Sequence, residues 1–175
     1  STYFDTGAEF SEYLTYATST DTIGYVSNTN PNDTILVYRT SFQYPRKVID
    51  AVRKGMNDLG YNRVAVDANP DVGMNIYVVE NLNLFQQVVY PPGYYGGYYG
   101  YYGYYYYPYV QTYAYNTATL VVEMVDLKNR SGNQVKVIWT AYMGDVVSSA
   151  DYELKSAEAI EQAFIQSPYL NSSGL

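Results

Sequence analysis

The 175-residue chain has no cysteine and no histidine. Without cysteine it can form neither a disulfide framework nor a thiolate metal site. Without histidine it lacks the usual general base and the commonest metal ligand, so Ser-His-Asp and Cys-His arrangements are excluded. Positive charge is scarce too: ten Lys and Arg stand against 17 Asp and Glu, for a formal net charge of −7. Nucleic-acid binders carry a basic patch, whereas these cations are scattered from Arg39 to Lys155, which argues against such a partner. No apolar run approaches the roughly 18 residues of a membrane-spanning helix. The length suits one domain over 1–175 with a core that needs no covalent staples. The chain opens on Ser1 rather than Met, which suggests a processed or trimmed protein whose signal peptide or lipid would lie before Ser1.

What is abundant is tyrosine. Residues 94–109 read YYGGYYGYYGYYYYPY, holding eleven of the 25 tyrosines of the chain, four glycines and Pro108. The tract has neither the period of 2 nor the period of 3.6 of a core element. Its side chains carry no charge near neutral pH, because tyrosine titrates at about 10. It therefore reads as an uncharged aromatic loop over about 90–110, able to stack and to donate hydrogen bonds. Either it offers a stacking surface to a glycan, a lipid headgroup layer or an extended protein, or it is a low-complexity hairpin extension. The glycines make ordering costly. The glycine-free end is thus the better binding candidate: Tyr104, Tyr105, Tyr106, Tyr107 and Tyr109.

Around the tract the patterning is orderly. Val48, Ile49, Val52, Met56 and Leu59 form an apolar stripe that predicts a helix over 45–59, with Pro45 in its first turn and Gly60 closing it. A second helix is expected over 150–166, with Ser149 as N-cap, Leu154, Ala157, Ile160, Ala163 and Phe164 on its apolar side, and Pro168 as its stop. Strands are expected at 12–17 and 33–38. Three more follow from alternation: Val72 to Val78, Ala118 to Met124, and Val135 to Met143 with Val137, Trp139 and Ala141 on one face. Gly132 marks the hairpin between the last two. The fold class is α+β: a mostly antiparallel sheet with two helices packed on one face, a more polar opposite face, and the Tyr/Gly-rich insert between strands.

Four segments are similar to a known family. They are FSEYLTYA at 10–17, VIDAVRKGMNDLGY at 48–61, NPDVGMNIYV at 69–78, and TLVVEMVDLKN at 119–129 followed by VIWTAYMGDV at 137–146. From about Glu9 to Tyr169 the chain resembles domain-of-unknown-function family 4136, a group of bacterial envelope lipoproteins. It departs from the family's glycines at Ala118 and Ala141. The resemblance implies an α+β fold, export, and a lipid anchor upstream of Ser1 that holds the protein at the outer membrane or on the periplasmic side. It carries no activity. It also makes Tyr/Gly-rich inserts at this loop a family habit.

The remaining candidate sites have structural readings. Asp67-x-Asn69-x-Asp71-x-Gly73 invites a calcium loop, but an EF-hand places Gly at position six and Glu at twelve, whereas here Gly falls at seven and Val78 at twelve. Asp71 is expected to cap a local turn. Asp126 is expected to hold the turn after its strand, and Trp139 to pack in the core. A glycosidase needs two carboxylates across a cleft; Asp145 and Glu123 are the nominees, and no spacing pairs them. No cofactor and no metal is expected. The leading expectation is a non-enzymatic envelope domain that binds or scaffolds an envelope protein or glycan. A carbohydrate-binding module and a carboxylate-dependent hydrolase are the alternatives, and self-association through the aromatic loop is a further expectation.

Overall fold

Three long antiparallel strands form the centre of the computed structural model, which describes residues 1–18, 23–26, 43–79, 105–107, 119–131, 134–146 and 150–172. They are β5 (Val72–Val79), β7 (Thr119–Ser131) and β8 (Gln134–Gly144), with β7 between the other two. The outer edge of β8 carries two short strands end to end. β1 (Thr2–Phe4) pairs antiparallel with Trp139 to Ala141, and β6 (Tyr105–Tyr107) pairs in parallel with Gln134 to Lys136. The outer edge of β5 carries β2 (Thr15–Thr18) and β3 (Gly24–Val26), both parallel to it, and β4 (Asn62–Arg63) lies beyond β2. The class is α+β, and the sheet is mixed. Parallel neighbours require a crossover connection, and α1 (Gln43–Asp58) supplies it between β3 and β5.

Both helices pack on one face of the sheet. Val48, Ile49, Val52 and Met56 of α1 and Ile160, Ala163 and Phe164 of α2 (Tyr152–Ile165) share one core with Val72, Met74 and Ile76 of β5. From the other central strands Leu120, Val122, Met124, Trp139, Ala141 and Met143 join it. At the end of α1, Gly60 takes a left-handed φ of 88° and donates its N–H to the Asn57 carbonyl, the closure expected of glycine there. Tyr16 ties the sheet to that helix end by donating its hydroxyl to Asn57 Oδ1 at 2.9 Å.

Several expectations are corrected. The opposite face of the sheet is more polar in composition but just as dry: Asn75, Tyr77, Val121, Glu123, Thr140 and Tyr142 are all buried. The alternation of β8 also breaks. Met124 pairs with Trp139 while Val125 pairs with Val137, so Ile138 is an extra residue, a β-bulge. The bulge leaves Trp139, Ala141 and Met143 on the helix face and sends Val137 to the other, where it packs with Ala17, Val125 and Leu127. Residues 10–12 form a 3-10 turn rather than the start of a strand, and β2 begins at Thr15. The N-cap of α2 is Asp151, with no side-chain capping bond; Ser149 lies outside the described residues, as does the strand expected at 33–38. Leu154, expected in the core, is 57% exposed.

Trp139 is the largest fully buried side chain. Its ring stacks on Phe164 with centroids 5.4 Å apart, and its Nε1 donates to Ser167 Oγ at 3.1 Å. Phe164 in turn lies against Gly55, where an added Cβ would collide with the phenyl ring. Trp139→Ala is therefore expected to lower the unfolding free energy by about 3–5 kcal/mol. Urea denaturation measures this, and an unchanged midpoint would contradict the packing.

Candidate functional site

Three of the five candidate binding residues fall at the β8 edge. Tyr105, Tyr106 and Tyr107 form β6, in register with Gln134, Val135 and Lys136. Tyr104 and Tyr109 lie outside the described residues, as does the rest of the tract. A glycine-free tyrosine run has good strand propensity, so its pairing has a local cause, though nothing in the sequence identified the partner strand. At the junction with β1, the Asp5 N–H donates to the Ile138 carbonyl at 2.9 Å, and the Asp5 carboxylate pairs with Lys136. Burial raises the Asp5 pKa, but the Lys136 bond and the Gly7 N–H outweigh it and hold the carboxyl below its ordinary value. The N-terminal strand is thereby fixed beside the aromatic one.

At the same end of the central strands, on the β5 side of the sheet, two carboxylates clamp three elements. Asp71 Oδ2 accepts the backbone N–H groups of Leu14 (2.8 Å) and Thr15 (3.1 Å), while the Asp71 N–H donates to Thr15 Oγ1 at 2.9 Å. The Asp71 carbonyl accepts from the N–H groups of Leu127 and Lys128. Asp71 thus caps the start of a strand 56 residues away rather than its own turn. In that turn Asn69 takes a left-handed φ of 51°. Asp126 lies within β7 rather than before a turn: it accepts the Asn129 N–H on Oδ1 at 2.9 Å in the irregular stretch leading to Ser131, and it also accepts the Tyr13 hydroxyl on Oδ2 at 2.7 Å. Burial, reinforced by the Asp126 carboxylate, pushes the Tyr13 pKa well above the usual tyrosine range; burial does the same to Tyr61.

The nominated carboxylates do not meet. Glu123 lies mid-strand, 2% exposed, and accepts the Tyr77 hydroxyl. In the ladder it faces Asn75 on one side and Thr140 on the other. Asp145 is exposed just beyond the end of β8, with a left-handed φ of 64°. Thr119 pairs with Gly144 there, so the two lie about four residues, or roughly 13 Å, apart along the strand. The Tyr77–Glu123 pair escaped the sequence reading because their contact depends on strand register, which local pattern does not encode. Among the described residues no three Asp, Glu, His or Cys side chains gather where they could hold a metal ion.

Comparison with known proteins identifies the architecture. The model of DUF4136, a domain of unknown function, matches residues 1–169. The crystal structure of a DUF4136 family protein from Bacteroides thetaiotaomicron is 27% identical, with a TM-score of 0.76 over 98% of this chain and 96% of that one. A PDZ domain protein from Parabacteroides distasonis shares the fold at 14% identity and a TM-score of 0.53; this chain matches 35% of its length. No curated protein matches the sequence.

The clamp generates two expectations. Asp71→Ala removes a charged acceptor from two N–H groups and is expected to cost about 1.5–3 kcal/mol, with faster amide exchange at Thr15 as its local signature. Tyr13 has a folded-state pKa above its unfolded value of about 10. Its stabilisation is complete below pH 10 and is lost as pH rises beyond that. Melting curves from pH 8 to 11 are expected to fall less steeply for Tyr13→Phe than for the unaltered protein; parallel curves would remove Tyr13 from the alkaline transition.

Proposed function

The chain belongs to the DUF4136 family, and on that premise we propose that it is a non-enzymatic cell-envelope domain that binds or scaffolds a partner. It is exported and lipid-anchored upstream of Ser1, at the outer membrane or on the periplasmic side, and its aromatic loop contacts an envelope protein or glycan. The observation that supports this reading is β6. A tract of uncharged tyrosines is joined to the sheet edge through Tyr105 to Tyr107, beside β1. Anchored at that edge, tyrosines have an apolar ring and a hydroxyl to offer a half-wet interface, and less conformational entropy is lost on binding than from a free loop.

The test is crosslinking of the protein in its native envelope, alongside a variant with Gly and Ser in place of the tyrosines of 94–109. Partners captured by the first and lost by the second, with the melting temperature retained, are the expected result. A captured glycan in place of a protein makes the domain a carbohydrate-binding module. Partners unchanged by the replacement would overturn the role of the tract. Recovery of the protein in the cytoplasmic fraction would overturn the anchoring.

A further inference from the structure

The two helices leave a groove on the outer side of the domain. α1 and α2 run parallel: Lys47 near the start of α1 pairs with Glu153 near the start of α2 at 2.8 Å, and Gly55 meets Phe164 near their ends. Because Gly55 has no side chain, the helices close at the sheet, and their outer faces diverge around a space of about 730 Å³. Ala51, Gly55, Leu59, Ala157 and Phe164 contribute its apolar lining.

Each wall is one helical stripe. Lys47, Ala51, Lys54 and Asp58 stand at i, i+4, i+7 and i+11 on α1, and Leu154, Glu158, Glu161 and Ile165 at the same spacing on α2. Leu154 and Ile165 are 57% and 65% exposed, two of the three large exposed hydrophobic residues among those described. They mark the two ends of the groove, eleven residues apart, or about 16 Å at the helical rise.

The charge around this lining is one-sided. Asp50, Asp58, Glu153, Glu158 and Glu161 face it, against only Lys47 and Lys54. Both lysines are already engaged, Lys47 with Glu153 and Lys54 with Asp58 at 2.6 Å. Asp50 pairs with Arg53 at 3.8 Å within its own helix. An apolar lining with two exposed anchors and a surplus of carboxylates is complementary to a segment of opposite pattern. It opposes a second copy of itself, because a symmetric pairing would set one acidic rim against another.

We propose that this groove docks a cationic amphipathic helix of about three turns from a partner protein, its apolar side chains seated between Leu154 and Ile165 and its Lys or Arg on Glu158, Glu161 and Asp50. Helix-in-groove docking reads anchors at such spacings. The surface is separate from the tyrosine edge, so the inference stands or falls without the reading of the aromatic loop.

The probe is an amphipathic helical peptide of Leu and Lys, about 14 residues long so as to span the groove, titrated into the isotope-labelled protein and followed by amide chemical shifts. A matched peptide with Glu for Lys serves as control. Shifts are expected to concentrate on 47–58 and 153–165, with no response to the Glu peptide. Leu154→Ser with Ile165→Ser is expected to weaken binding at least tenfold, whereas Leu14→Ser, at an exposed leucine elsewhere, leaves it unchanged. Shifts spread over the whole acidic surface, or equal affinity in the double variant, would overturn the proposal. So would a change in oligomeric state in the double variant by sedimentation, which would make a second copy the occupant.

Discussion

Strand β7 is dry on both sides, and that constraint shapes the rest of the molecule. Its side chains from Thr119 to Leu127 are all buried, and because strand residues alternate between faces, neither face of the sheet is open to water there. On the helix face the requirement is met by aliphatic packing around Trp139. On the other face β7 carries Glu123, and a carboxylate in such a place is costly unless it is hydrogen-bonded. Tyr77 meets that need from the neighbouring strand. Tyr13 does the same for Asp126, and Tyr16 and Tyr61 reach Asn57 and the Leu170 carbonyl. The high tyrosine content is therefore not confined to the low-complexity tract. In the core, tyrosine supplies apolar bulk and a donor at its tip.

Mixed pairing and the bulge at Ile138 serve the same centre. Parallel strands on the β5 edge and a short antiparallel strand on the β8 edge enter from distant parts of the chain, and β2 and β1 are pinned by polar bonds at one end. Asp71 holds the start of β2, and the Asp5–Lys136 pair holds the end of β1. The bulge lets β8 place Trp139 against Phe164 while Val137 fills the opposite layer. Without it, one of those two side chains would face the wrong core.

The aromatic edge and the helical groove divide the exterior between two chemistries. The edge carries a tyrosine strand in register with β8, and the groove has an apolar lining among carboxylates. Gly55 links the groove to the interior: it lets Phe164 approach α1, Phe164 carries the Trp139 stack, and the same close approach determines how far the outer stripes diverge. The groove and a core contact thus rest on one missing side chain.

The α+β class, both helices and the three central strands were legible from residues 43–79 and 119–165 alone, because periods of 3.6 and 2 are properties of neighbouring residues. The resemblance to a family was legible for the same reason, since its motifs are short and contiguous. The short strands at 2–4, 24–26 and 105–107 were not legible, because three residues carry no period and their pairing is fixed by the edge they meet. A local backbone bond to Asp126 was readable in sequence, but its place inside β7 and the reach of Asp71 to Leu14 were not. By itself the sequence determined where the long helices and central strands form and that tyrosine dominates residues 94–109. Only the tertiary structure decided that Leu154 faces outward, that Val137 changes layer and that Glu123 finds Tyr77, since each depends on register between segments far apart in the chain, which no local pattern of residues encodes.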